Sequence, residues 1–235
     1  MLNFSLSPEQ KAIQKEAREF ALKELLPVAW EYDQREETPM HILHKAYDAG
    51  LVNGDIPKAY GGKGYGVLDG VVATEELSAV CPGLATSIFD NSLGMEPLIL
   101  CDNETAKQKY LTTITRDRKF FAFATSEPTM GSDVSSLRCL AKPDGDEYIV
   151  SGTKFWITNG GIADYVTVFA TVDPKSAHQC ICAIVVETNW KGVSAGRHMP
   201  KFCQRGSNTT AINLNDVLVP KENVIAPPCQ GFALA

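Results

Sequence analysis

Positive charge is what this 235-residue chain is short of: 22 lysines and arginines stand against 28 aspartates and glutamates, a net charge of −6. No basic field draws in a polyanion, so nucleic acid is excluded as the default partner. Long apolar runs are also missing. Runs such as Ala183 to Val186 fall far short of the about 20 residues needed to cross a bilayer, so no membrane span is expected. Cysteine is present but unpaired in pattern: residues 81, 101, 139, 180, 182, 203 and 229 are odd in number and form no Cys-x-x-Cys. A disulfide framework is not expected, and a reducing intracellular compartment fits better. The first ten residues carry no basic stretch followed by an apolar block, so they do not read as a secretory leader. His41 and His44 have no acidic or thiol neighbour in the pattern and read as surface histidines, so no metal site is expected. Repeats and low-complexity segments are absent.

What remains is an ordinary globular composition, 44% hydrophobic and 21% charged, enough to bury a core. The first half reads helical. Ser7-Pro8-Glu9-Gln10 has an N-cap serine, a proline at the first helical position and a glutamine that closes a capping box. Ile13, Ala17, Phe20, Ala21 and Leu25 then fall on one helix face. Further helices are expected from Thr38-Pro39 to Gly50, over 68–79, 84–100 and 105–115. Between them Tyr60-Gly61-Gly62-Lys63-Gly64-Tyr65-Gly66 reads as a loop and lacks the Gly-Lys-Ser/Thr ending of a phosphate cradle.

From about Phe120 the period changes. Runs at 120–125, 147–150, 154–158, 165–172, 180–186 and 211–219 are β-branched or aromatic and bounded by turn residues. Cys180 and Cys182 would share the buried face of one strand. Helices first and strands afterwards predict an α+β fold: an all-helical N-terminal domain, residues 1–118, and a β-barrel or sandwich domain, residues 119–235.

Two segments of the β half carry the chemistry. One is Phe123-Ala124-Thr125-Ser126-Glu127-Pro128-Thr129-Met130-Gly131-Ser132-Asp133, a strand entering a hydroxyl-rich loop. The other is Lys154-Phe155-Trp156-Ile157-Thr158-Asn159-Gly160-Gly161, a strand ending in an aromatic, a hydroxyl and a tight turn. Strand ends of this kind offer backbone N–H groups and hydroxyls beside a large flat side chain, which suits a flat heteroaromatic cofactor rimmed by acceptors. Two turns joining core strands, with Trp156 packed inside, account for the same residues.

These segments resemble the flavin-binding signatures of the acyl-CoA dehydrogenase family, aromatic-x-x-Thr-Glu-Pro-x-x-Gly-Ser-Asp and Trp-Ile-Thr-Asn. The resemblance extends to Ser7-Pro8-Glu9-Gln10, Ile56-Pro57-Lys58-Ala59-Tyr60-Gly61-Gly62, Thr105-Ala106-Lys107-Gln108-Lys109-Tyr110-Leu111, Gln204-Arg205-Gly206-Ser207-Asn208-Thr209 and Val219-Pro220-Lys221-Glu222-Asn223-Val224. Its flavour is that of the medium- and short-chain fatty acyl-CoA branch. It implies FAD as cofactor, an acyl-CoA thioester as substrate and an electron-transferring flavoprotein as electron acceptor. The implied reaction takes an α-proton to a glutamate and the β-hydrogen, as hydride, to flavin N5, leaving a trans-2-enoyl-CoA.

By the same resemblance Phe123, Ala124, Thr125, Ser126, Gly131, Ser132, Trp156, Ile157 and Thr158 face the cofactor. Thr158 offers its hydroxyl near N5, Trp156 flanks the ring, and Thr125 and Ser126 meet the ring edge. Gly131 and Ser132 line the passage where cofactor and acyl-CoA approach, with Ser132 toward the substrate. The family's location implies a mitochondrial matrix or bacterial cytoplasm.

Three departures qualify the resemblance. The family's C-terminal four-helix domain, which carries the catalytic glutamate and much of the subunit interface, is expected to be absent from these residues; with it, relatives form homo-oligomers. Thr129-Met130 replaces a common Gly-Ala, so a left-handed backbone there would be strained. Pro227-Pro228 replaces a glycine-rich turn. Glu127 belongs to the loop signature and reads as a hydrogen-bonding turn residue, so the general base stays unassigned. A truncated, non-catalytic binding module and an oxygen-using acyl-CoA oxidase are the competing readings.

Overall fold

The computed structural model describes residues 5–235, the side chains of residues 177 and 178 excepted. Residues 1–4, where the stretch read for a leader begins, lie outside the described residues. Helix α1 (Pro8–Phe20) starts on the expected box: the Ser7 hydroxyl accepts from Gln10 N–H at 3.2 Å, and Ser7 N–H donates to Gln10 Oε1 at 3.0 Å. Each partner satisfies a donor that the helix start leaves without an intrahelical acceptor. A π turn, Ala21–Leu25, continues the helix. Ile13, Ala17, Phe20, Ala21 and Leu25 are all buried, so the periodic face is the core face.

Helices α2 (Ala29–Arg35), α3 (Met40–Asp48), α4 (Val67–Ser78), α5 (Pro82–Leu100) and α6 (Glu104–Asp117) follow. Periodicity did not announce α2, which has no buried residue. The glycine-rich stretch is a loop preceded by a single 3₁₀ turn, with Gly61 at φ +88°. Helix α1 packs on α4, where Gln14 and Arg18 donate to the buried Glu76 carboxylate.

Eight strands form one sheet: β1 (Phe121–Ala124), β2 (Leu140–Asp144), β3 (Glu147–Thr158), β4 (Tyr165–Thr171), β5 (Ile181–Glu187), β6 (Val193–Ala195), β7 (Thr209–Pro220) and β8 (Val224–Ala226). Their order is β6-β7-β3-β2-β4-β5-β8, with β1 parallel to β4. The fold is thus helical first and β afterwards, as the change of period requires.

Several local expectations are corrected. Residues 147–158 form one long strand instead of two, because Ser151-Gly152 continues along β7, which bulges opposite it by one extra residue at Asn215-Asp216, and is not a turn. Gly152, at φ +155°, lies so close to Cys139 that an added Cβ would stand 2.9 Å from its Sγ. Strand β2 escaped the sequence because three of its five residues are exposed and polar or proline. Cys180 sits half-buried in the 3₁₀ turn before β5, while Cys182 is fully buried in the strand; they do not share a strand face. Neither Thr129 nor Met130 takes a left-handed backbone, so the anticipated strain is not there.

Backbone packing divides the chain into two units: residues up to 89 with 200–207, and residues 90–199 with 208–235. The division falls within α5. In the first unit, Arg205 joins the 200–207 segment to α2. Its backbone N–H and Nε each lie 3.0 Å, and its Nη2 2.7 Å, from the Asp33 carboxylate. In the second, α5 lies directly on β1: a Cβ on Gly94 would meet the Ala122 backbone at 2.9 Å, and Thr167 Oγ1 donates to Gly94 O at 2.7 Å. Only glycine permits that approach.

Candidate functional site

Both segments singled out in the sequence belong to the second unit. Strand β1 lies parallel to β4, and its continuation runs beside β3, where Phe155 N–H donates to Ser126 O at 2.9 Å. The pairings β3–β2, β2–β4 and β4–β1 therefore return to β3, a barrel-like circuit that sets residues 125–127 next to 154–155. Residues about 30 positions apart thus become neighbours through pairing alone.

Within this arrangement Phe123 is half-buried, its ring 5.1 Å from that of Phe169. Ala124 and Thr125 are buried and Ser126 is half-buried. The Thr125 hydroxyl is buried and has no hydrogen-bond partner among the described residues. Leaving a buried hydroxyl without a partner is costly, so this one is free to meet a polar group of another molecule.

Trp156 is the other irregularity. Between Lys154 and Ile157 strand β3 carries one residue more than the β7 segment it opposes, and Trp156 takes φ +60°. A bulge of this kind bends the strand and re-aims a side chain. Trp156 is accordingly 56% exposed, while Ile157 goes into the core. The alternative reading, with Trp156 packed inside between two turns, is overturned. Thr158 closes the strand opposite Thr209 and is half-buried. Beyond it the turn is held by Asn208, whose carbonyl accepts from Asn159 N–H at 2.9 Å and whose Oδ1 accepts from Gly161 N–H at 2.8 Å. Gly131 and Ser132 are exposed in the bend after a tight Glu127–Met130 turn. Next to them Asp133 accepts from the Ser135 and Ser136 hydroxyls, which holds its carboxyl below the usual carboxylate range.

Sequence reasoning missed one residue of consequence, Lys154. Its side chain is fully buried, and Nζ donates to Thr125 O and to Glu127 Oε1, each at 2.9 Å. Glu127 in turn accepts from Cys139 N–H at 2.8 Å and Arg138 N–H at 2.9 Å. Glu127 is thus a turn residue with both oxygens occupied, as the loop signature implies. The available signal was a lysine embedded in a strand of aromatic and branched residues, with a glutamate in the facing loop. Burial pushes the neighbouring Cys139 thiol up to about 11, a shift that Lys154 only partly opposes. Burial likewise raises Cys182 to about 12. Both thiols stay protonated and unreactive at neutral pH.

The chain is helical first and β afterwards, and the adjoining strand ends present an exposed aromatic and an unpartnered hydroxyl, groups that suit a flat ring with polar edges. Comparison with known proteins gives the particular family. Residues 7–118 match the acyl-CoA dehydrogenase N-terminal domain and residues 122–217 the acyl-CoA dehydrogenase middle domain. The chain belongs to the acyl-CoA dehydrogenase family, which is flavin-dependent. It is 37% identical, over its whole length, to a probable medium-chain specific acyl-CoA dehydrogenase 2, mitochondrial, of Caenorhabditis briggsae, covering 58% of that protein.

Among solved structures, butyryl-CoA dehydrogenase from Megasphaera elsdenii superposes with a TM-score of 0.94 at 30% identity, over 99% of this chain and 62% of that one. A chain in the structure described as the electron transferring flavoprotein of Acidaminococcus fermentans gives a TM-score of 0.95 at 35% identity, over 99% of this chain and 62% of that one. The chain therefore spans about three fifths of the length of the relatives it matches.

The residues present fit a flavin. A ring system with polar edges needs hydrogen-bonding groups without other partners and an apolar plate, and the Thr125 hydroxyl and exposed Trp156 supply these on adjoining strand ends.

Proposed function

We propose that this chain holds the FAD of an acyl-CoA dehydrogenase acting on a medium- or short-chain fatty acyl-CoA, with trans-2-enoyl-CoA as product. The observation that carries this reading is the unpartnered Thr125 hydroxyl beside the bulge that turns Trp156 outward. When bound, FAD supplies the acceptor for the β-hydrogen as hydride.

The chain's own residues bind, orient and exclude water. Thr125 and Ser126 meet the polar edge of the ring, and Trp156 covers the ring and keeps water from it. Thr158 offers its hydroxyl at N5. Phe123, Ala124 and Ile157 give the strand ends an apolar backing. Gly131 leaves its stretch of loop open, since nothing stands within 4 Å of a Cβ built there, and Ser132 beside it is assigned to the acyl-CoA. No carboxylate of these residues is assigned as base for the α-proton, because the Glu127 oxygens are already held by three donors.

We place the division between the domains at 118/119, which the extents of the two family matches support. An electron-transferring flavoprotein as acceptor, homo-oligomeric assembly of the whole protein, and a mitochondrial matrix or bacterial cytoplasmic location belong to the same reading.

The test is to incubate the purified 235-residue protein with FAD, desalt it and record the visible spectrum, then add octanoyl-CoA anaerobically. The expected result is retained flavin that stays yellow. A flavin-free protein overturns the cofactor site, and bleaching overturns the absence of a base.

A further inference from the structure

We infer that Lys154 is a positioning residue for the cofactor edge, acting through its buried pair with Glu127. This rests on the flavin reading above. Three backbone segments meet at the pair. The ammonium binds Thr125 O, the carbonyl of the residue whose hydroxyl is left unpartnered, and also Glu127 Oε1. The carboxylate collects Arg138 N–H and Cys139 N–H from the far side of the Gly131-Ser132 bend. One residue further along β3, Phe155 N–H binds Ser126 O, immediately before the bulge at Trp156. Glu127 N–H and C=O close the Pro128-Thr129 turn on Met130, at 2.9 and 3.2 Å.

Of the residues given a cofactor or substrate role, Thr125 is bound by the pair directly and Ala124 and Ser126 flank it, while Trp156 follows Phe155 and Gly131 follows Met130, both of which bond to the same loop.

Stability alone does not account for it. A buried ion pair is no better for folding than a well-packed apolar pair of the same volume, because desolvating two charges offsets their attraction. What the charged pair adds is direction: an ammonium and a carboxylate fix several backbone groups at defined angles, where methylenes would only fill space. Its place behind the Thr125 peptide makes that direction bear on the strand end that meets the ring. Lys154 touches neither cofactor nor substrate in this account; it acts through Thr125 and Glu127.

The test compares the parent chain with the Lys154→Met/Glu127→Gln double variant, which removes both charges together and leaves neither buried alone. Lys154→Gln serves as a second variant that keeps a donor for Thr125 O. Val217→Ala, a cavity variant in β7 at a fully buried position, is the control for lost stability. FAD affinity is read by fluorescence titration, and the ring environment by the visible circular dichroism of the bound flavin, well below each melting temperature.

The expected outcome is an affinity loss of about tenfold or more in the double variant with an altered flavin dichroism, a smaller loss for Lys154→Gln, and no spectral change for Val217→Ala. A folded double variant with parental affinity and spectrum overturns the positioning role while the flavin site stands. If that variant does not fold, Lys154→Gln decides alone, and a parental spectrum from it overturns the role. A parent chain that binds no FAD overturns the flavin reading and this inference with it.

Discussion

At the residue scale, the most consequential group outside the candidate site is Asp90. Its Oδ2 is buried without a hydrogen-bond partner among the described residues, and burial pushes the carboxyl up to about 7. The folded chain therefore keeps a proton that the unfolded chain gives up near pH 4. Between those two values the folded state binds more protons, so stability falls as pH rises from about 4 to about 7 and levels off above. Asp90→Asn carries no such titration. Allowing for the partial exposure of this residue, the variant gains roughly 3 kcal/mol relative to the parent by pH 8 and nothing at pH 3. Urea unfolding at the two pH values measures this, and a pH-independent difference would refute it. The same scale shows what a sequence conceals. Aspartate in a helix reads as a solvated residue, and only the packing around α5 determines that one of its oxygens meets no donor.

At the element scale, β3 shows where local pattern and tertiary pairing part company. Its aromatic and branched residues announced strand on both sides of Ser151-Gly152, yet the sequence read that pair as a turn. In the sheet, β7 lies alongside throughout, and the register shifts are absorbed as a bulge in β7 opposite Ser151-Gly152 and a bulge in β3 at Trp156. A tryptophan at φ +60° is a strained choice where glycine would be at ease. Trp156→Gly is expected to raise thermal stability by about 1 kcal/mol through relief of that strain while loosening FAD by about tenfold. Calorimetry together with a flavin titration reads both. A Trp156→Gly protein that is less stable than the parent argues against strain, and one that binds FAD unchanged argues against a role for the indole. The α1 capping box and its apolar face, by contrast, were legible in full, because both depend on neighbours within four or so positions. Helix α2 was not, because it buries nothing that would give it a period.

At the scale of the whole molecule, a ligand that binds only the folded state stabilises it by mass action. FAD at about 100 times its Kd is expected to add about 2.7 kcal/mol and to raise the melting midpoint of the unit that holds residues 121–158. Differential scanning calorimetry with and without FAD measures the shift, and an unchanged thermogram would contradict a site in that unit.

The sequence by itself determined the order of helices before strands, the capped start of α1, and the two segments that resemble flavin signatures, since each is written in local periodicity, capping and turn chemistry. Tertiary structure alone decided that residues 125–127 and 154–155 are neighbours, that Trp156 faces outward, that the Thr125 hydroxyl has no partner, and that Lys154 and Glu127 share a buried contact. Strand pairing and desolvation act between residues far apart in the chain, and neither leaves a period for the sequence to show.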